Sequence, residues 1–331
     1  MRTTLGTRTV AERQSPVAAT GLAIEVRDLR QRYGTFEAVR GISFEVRRGE
    51  LFALLGTNGA GKTTTLEVLE GFVAASDGQV RVLGHDPYRD RRALRPRLGI
   101  LLQDGGFLGD LTVAETVDLG RGLVQDTGRR PMDDVLELVG LADKAKTYVR
   151  QLSGGQRRRL DLALAVQSCP EVLFLDEPTT GMDPEARRST WHIIQRLRDA
   201  GTTILLTTHY LEEAERLADR LAIMHRGRIH VAGTVEEVVS SAGDRITFRL
   251  PANRPELPAF LPDLEGAAPL VTASADDIWV TYALDGGADR THAALRTLIT
   301  WADEQGVTLE RLGARSGTLE DVFLRVVEEG R

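Results

Sequence analysis

Leu51-Phe52-Ala53-Leu54-Leu55-Gly56-Thr57-Asn58-Gly59-Ala60-Gly61-Lys62-Thr63-Thr64 is the stretch that settles the fold. Five consecutive apolar residues suit a strand covered on both faces. The glycines that follow let successive backbone N–H groups curl around a polyphosphate, and a helix opening at Lys62 aims its positive end at the same anion. Gly56, Asn58, Gly59, Ala60, Gly61 and Thr64 form this cradle, Lys62 reaches the outer phosphates, and Thr63 offers its hydroxyl to a magnesium ion, which prefers hard oxygen ligands. Of the 42 basic residues, all but Lys62, Lys144 and Lys146 are arginine. A compact ammonium fits inside a tight loop where a planar guanidinium does not, so the exception at position 62 is what such a loop demands.

The chain has 331 residues, 42% of them hydrophobic, enough for a full core and two folding units. Its formal charge of −6, with no long basic run, argues against a nucleic-acid partner. Cys169 is the sole cysteine, which rules out an intrachain disulfide and fits a reducing compartment. No apolar stretch approaches the ~20 residues that cross a bilayer, and the N-terminus lacks a secretory signal. Any membrane role therefore comes through a partner. Met1 to Thr20 is rich in Thr, Arg and Ala without periodicity and reads as a flexible tail, with residues 1–21 outside the first domain.

Ile24–Val26 and Ile42–Val46 alternate in the manner of half-buried strands around the turn-prone Tyr33-Gly34-Thr35, predicting an antiparallel entry layer. Leu51–Leu55, Val172–Leu175 and Thr203–Thr207 are continuous apolar runs followed by helices, the pattern of a mostly parallel α/β sheet. Between Gln103 and Leu160 the chain reads mostly helical, with a capping box at Thr112–Glu115 and an amphipathic run at Met132–Val139, so a helical insertion is placed at about 104–160. A helix starts after Asp183 as cap and Pro184 in its first turn, aligns Trp191, Ile194 and Leu197 on one face, and ends before Gly201. The first domain spans 22–240. After Ser240 prolines cluster, and strands at Arg245–Leu250, Ile278–Tyr282 and near Val307–Leu312, with helices at His292–Asp303 and from Thr318, predict a small α+β domain over 241–331.

Two further elements carry chemistry. The run Val172–Leu175 ends in Asp176, placed to hold magnesium through water, and Glu177, placed to accept a proton from an attacking water. Leu152-Ser153-Gly154-Gly155-Gln156, followed by Arg157-Arg158-Arg159, is a second anion site, in which Ser153 caps the helix and the glycine N–H groups are donors.

The run Leu-Ser-Gly-Gly-Gln between a phosphate loop and an Asp-Glu strand end resembles the ATP-binding cassette (ABC) ATPases, over roughly Leu22 to Val239. The resemblance implies an α/β P-loop NTPase of ABC type, with a mostly parallel RecA-like core, an antiparallel β subdomain and the α-helical insertion, ahead of the α+β C-terminal domain. It implies ATP and Mg2+ as cofactors, with Thr63, Gln103 and Asp176 at the metal and Glu177, His209, Gln103 and Lys62 in catalysis. Tyr33 corresponds to the aromatic that stacks on adenine, Gln103 to the glutamine that senses magnesium and the γ-phosphate, and His209 to the histidine that contacts that phosphate. Asp183 corresponds to the loop that communicates between paired sites. Ser153, Gly154, Gly155 and Gln156 would close over nucleotide held by a second copy, so the chain is expected to work as a head-to-tail homodimer. Thr57 departs from the family's frequent proline, and Asp104-Gly105-Gly106 is unusually polar where the family docks a membrane partner.

Leu319-Glu320-Asp321-Val322-Phe323-Leu324 and Tyr210–Glu215 are similar to the daunorubicin-resistance type of drug exporter. The expectation is an ATP-hydrolysing subunit driving a separately encoded transmembrane permease on the cytoplasmic side of the membrane, exporting a drug, antibiotic or other hydrophobic compound. A non-transport ABC ATPase acting on ribosomes or DNA is the alternative; such proteins usually carry two cassettes or a long coiled-coil insertion. His85, His192, His225, His230 and His292 match no motif and read as surface or packing residues.

Overall fold

The computed structural model describes residues 21–102, 106–122, 130–251, 253–264, 266–274, 277–284 and 287–329. The chain enters through a hairpin, β1 (Leu22–Tyr33) and β2 (Phe36–Arg47), turned at Gly34. Ile42, Phe44 and Val46 are buried while Ser43, Glu45 and Arg47 are exposed, the period of two that one covered face requires. With β4 (Asp77–Val82) the hairpin forms a three-stranded antiparallel sheet in the order β2-β1-β4, the entry layer expected from sequence.

The central sheet has six strands in the order β5-β6-β7-β3-β8-β9. β3 (Leu51–Gly56), β5 (Leu98–Leu101), β6 (Val172–Asp176), β7 (Thr203–Thr208) and β8 (Arg220–His225) run parallel; β9 (Arg228–Thr234) closes the edge antiparallel to β8. Every residue of β3, β6 and β7 is buried, which is why these strands read as unbroken apolar runs. One face packs on the entry layer and α1 (Lys62–Leu69), with α2 (Arg91–Leu94) near its edge. The other face carries α3 (Val113–Gly122), α4 (Met132–Leu138), α5 (Gly154–Val166) and α6 (Pro184–Asp199) around Leu160, Leu173, Trp191 and Ile194.

Thr112 and Glu115 do form the expected capping box at the start of α3. The described part of the stretch 103–160 is less helical than expected: beyond α3, α4 and the start of α5 it holds only single turns at Ala142–Lys144 and Val149–Gln151. α5 runs past Leu160 to Val166 and rests on β5, joining α3 and α4 to the sheet.

After α7 (Leu211–Leu217) and α8 (Val235–Ser240), a second antiparallel sheet has the order β11-β12-β10-β13. Its strands are β10 (Asp244–Leu250), β11 (Pro269–Ala273), β12 (Ile278–Leu284) and β13 (Glu310–Ser316). α9 (Gly287–Gln305) buries Ala294, Leu298 and Trp301 against Phe248, Val280 and Tyr282. The strand expected near Val307–Leu312 begins later, at Glu310, because Val307 and Leu309 turn into this core instead. α10 (Leu319–Glu329) then leaves the small sheet and packs Leu319, Val322 and Val326 on Leu55, Ala214, Leu221 and Ile223 of the first fold. The tail over Met1 to Thr20 lies outside the described residues.

Candidate nucleotide site

The phosphate loop hangs from the carboxyl end of β3, where parallel sheets place their ligands. Its shape requires glycine at two points. A Cβ on Gly56 would stand 2.4 Å from Met224 O, and one on Gly61, at φ +103°, would stand 2.6 Å from Ala38 O. Gly61 is the N-cap of α1 and no side chain caps that helix, so its first-turn N–H groups face the loop's hollow. Asn58, Gly59, Ala60, Gly61, Lys62, Thr63 and Thr64 share a cavity of about 510 Å³ with Glu177, Thr180 and His209.

Lys62 is buried, 5% exposed, and its ammonium donates to Gly56 O at 2.8 Å and Thr57 O at 3.2 Å. Burial pulls its pKa below the usual lysine value, while the charges of Glu177 and Asp176 hold it up. Asp176 ends β6 buried, and its Oδ1 accepts from the Thr207 hydroxyl on the neighbouring strand.

Glu177 follows in the left-handed region at φ +45°, a conformation that costs a non-glycine residue about 1–3 kcal/mol and collects at functional sites. Its N–H donates to Thr207 O at 3.1 Å, which pins the turn to β7. Its carboxylate accepts from Thr180 Oγ1 at 3.1 Å and lies 3.2 Å from His209 Nδ1 and 3.8 Å from Lys62 Nζ. Behind Asp176, Glu70 is buried and its carboxyl is pushed up to about 8 by burial first, then by the charges of Asp176 and Glu67.

The fold brings Lys62, Thr63, Glu177 and His209 together at one cavity, with Asp176 buried beside them, but not the second anion element. Ser153 caps α5, its hydroxyl accepting from Gln156 N at 3.3 Å while Gln156 Oε1 accepts from Ser153 N at 2.9 Å. Ser153 and Gly154 are exposed, and none of Ser153, Gly154, Gly155 and Gln156 lines the cavity of their own chain. Asp183 is exposed and caps α6, accepting from Glu185 N at 3.0 Å and Ala186 N at 2.9 Å. Gln103 lies outside the described residues.

Tyr33 does not line the cavity; its hydroxyl donates to Glu67 Oε2 at 3.1 Å. Phe36, its cross-strand neighbour and 60% exposed, lines it instead. Phe36, Thr180 and Thr207 escaped the sequence reading. Thr207 carried the one available signal, a hydroxyl at the carboxyl end of an apolar strand run.

The donors on this wall are hard oxygens, the Thr63 hydroxyl and the Asp176 carboxylate, which suits magnesium. Among the described residues no group of three or more His, Cys, Asp or Glu is arranged to hold a metal ion, and magnesium characteristically shares its ligands with phosphate and water. No helix of the described residues is long and apolar enough to cross a membrane.

A family model described as ABC transporter matches residues 39–180, from the second strand through the Asp-Glu strand end. The daunorubicin resistance ATP-binding protein DrrA3 of Streptomyces coeruleorubidus is 38% identical over 315 residues, covering 93% of this chain and 97% of that protein. A Nod factor export ATP-binding protein I of Ralstonia nicotianae is 39% identical over 306 residues, covering 92% of this chain and 93% of that protein. A solved ATP-binding subunit of an ABC transporter superposes with a TM-score of 0.59 at 27% identity, over 66% of this chain and 92% of its own.

Proposed function

The chain belongs to the ABC transporter family as an ATP-binding, ATP-hydrolysing transport ATPase, and from that premise we propose that it is the motor of an exporter, working as a homodimer beneath a separate permease. The observation that carries the reading is the convergence of Lys62, His209 and Thr180 on the Glu177 carboxylate at the lip of the phosphate loop. ATP enters that loop and Lys62 exchanges the carbonyls of Gly56 and Thr57 for the outer phosphates. Thr63 and Asp176, with Gln103, would hold magnesium, which when bound would supply charge neutralisation at those phosphates. Glu177, oriented by Thr180 and His209, accepts the proton of the attacking water. His209, beside Glu177, would contact the γ-phosphate.

Ser153 and Gly155 stand away from this cavity, so they complete the site of a second copy, and Asp183 lies at the boundary between the two. Closure of the pair on ATP and its release on hydrolysis drive the permease. Tyr33 stacks on adenine after releasing Glu67, with Phe36 beside the same pocket. The similarity to proteins named for daunorubicin resistance and Nod factor export favours export of a drug, antibiotic or other hydrophobic compound from the cytoplasmic side.

Glu177→Gln tests the mechanism. Phosphate release should fall by about 10²–10⁴-fold, the usual worth of a positioned proton acceptor, while the variant with ATP and magnesium elutes as a stable dimer in size-exclusion chromatography with light scattering. A variant that hydrolyses at the parent's rate removes Glu177 from the role, and one that stays monomeric in ATP with its permease present removes the dimer.

A further inference from the structure

Arg157, Arg158 and Arg159 follow the second anion element, and a basic run there invites assignment to a phosphate. Their actual bonds divide them. Arg157 is exposed and donates to Arg150 O, and Arg159 donates to Val139 O and Gly140 O. Both bind α5 to the helical insertion. Arg158 points the other way, into the nucleotide site's supporting wall. Its Nη2 donates to Asp176 O at 2.6 Å and Glu177 O at 3.2 Å, its Nε to Pro178 O at 3.2 Å, and its Nη1 to Leu102 O.

Three successive carbonyls, those of residues 176, 177 and 178, thus converge on one guanidinium. Extended backbone alternates its carbonyls and cannot present them so; the left-handed turn at Glu177 makes the convergence available. A planar fork of five donors matches this array, whereas an ammonium offers only three donors from a single point. Arg158 meanwhile sits on the helix that Ser153 caps, three residues beyond Gly155 and five beyond the cap.

We propose that Arg158 is a positioning residue that fixes the peptide of Glu177 and links it to the helix whose tip serves the other ATP site, a proposal that rests on the paired-site reading above. Movement of α5 as its tip engages the partner's nucleotide is delivered through one side chain to the carbonyls on either side of this chain's own proton acceptor, and to Leu102, the last described residue before Gln103. Each site therefore feels the occupancy of the other.

Arg158→Lys and Arg158→Gln in the full chain test this, with Arg157→Gln as control. Three measurements apply: hydrolysis rate against ATP concentration, affinity for a fluorescent ATP analogue, and thermal midpoint. Arg158→Lys and Arg158→Gln should lower kcat at least about tenfold, as mispositioning of a reacting group does, with KM and analogue affinity within about twofold and the thermal midpoint within a few degrees of the parent. Any cooperativity in ATP should fall toward a Hill coefficient of one, and lysine should not rescue arginine. Arg157→Gln should match the parent. Unchanged kcat and cooperativity in both Arg158 variants overturn the proposal, as does a rate loss that only follows a loss of analogue binding or of the folded fraction. A parent chain without hydrolysis in the presence of its permease overturns the ATPase mechanism instead, so the two failures are separable.

Discussion

At the scale of single residues, the choice of lysine at 62 in a chain that otherwise writes its positive charge as arginine is explained by enclosure. The side chain is 5% exposed and its head sits among Gly56 O, Thr57 O and the Glu177 carboxylate. Lys62→Arg keeps the charge but brings a wider, planar head into that space. It should weaken binding of a fluorescent ATP analogue at least about tenfold, close to the effect of Lys62→Ala, in titrations at constant magnesium; affinity equal to the parent's would show that charge alone suffices. Gly61→Ala should fail the same titration, since its Cβ would stand 2.6 Å from Ala38 O in a left-handed backbone. Residue type and strand-end position together pointed to the loop, Asp176 and Glu177, and a family resemblance to His209; the fold places loop residues, Glu177 and His209 around one cavity. Backbone conformation was not legible: nothing in the letters places Glu177 at φ +45° or gathers three carbonyls onto Arg158. Nor did they show that Phe36, paired across the strands with Tyr33, lines the cavity.

At the scale of elements, legibility follows burial. β3, β6 and β7 are buried throughout and announced themselves as apolar runs, whereas β11, exposed at all but its first residue, offered no pattern, and β13, exposed throughout, was expected too early, at Val307. β13 is held by pairing with β10 and by one charged knot at the start of α10. Asp321 accepts from Arg315 at 2.6 and 3.0 Å and from Thr318 N at 3.0 Å, with Arg245 Nε 3.1 Å away. The Arg315 bonds foremost, then those from Thr318 and the charge of Arg245, depress its carboxyl from 3.8 to about 2. Because the folded value lies below the unfolded one, the knot stabilises fully above about pH 4 and is lost as pH falls from there toward 2. The shift is worth about 2 kcal/mol at neutral pH for this buried group. Asp321→Asn should therefore lose about that much in urea unfolding at pH 7, and the gap from the parent should close by roughly half at pH 3. A gap independent of pH would mean that shape, not charge, holds the knot.

At the scale of the whole molecule, the chain does not end in a freely hanging appendage. α10 returns from the small sheet to bury Leu319, Val322 and Val326 on Leu55 of β3, Leu221 and Ile223 of β8 and Ala214 of α7, and Leu319 N donates to Glu215 at 3.3 Å. Arg325 adds bonds to the carbonyls of Ser241 and Ala242. α7 begins two residues after His209, so the closing helix braces the element that directly follows the histidine facing Glu177. Removing residues 318–331 uncovers an apolar strip on the central sheet, and Val322→Asp buries an unpaired charge there, a change that costs several kcal/mol. Both changes should lower the thermal midpoint of the whole chain by about 5–10 °C in a single transition, and both should reduce hydrolysis while leaving the residues of the phosphate loop untouched. If the small domain were instead an independent passenger, the shortened chain would keep the parent's midpoint and rate, and the parent would melt in two steps with only one of them displaced by Val322→Asp.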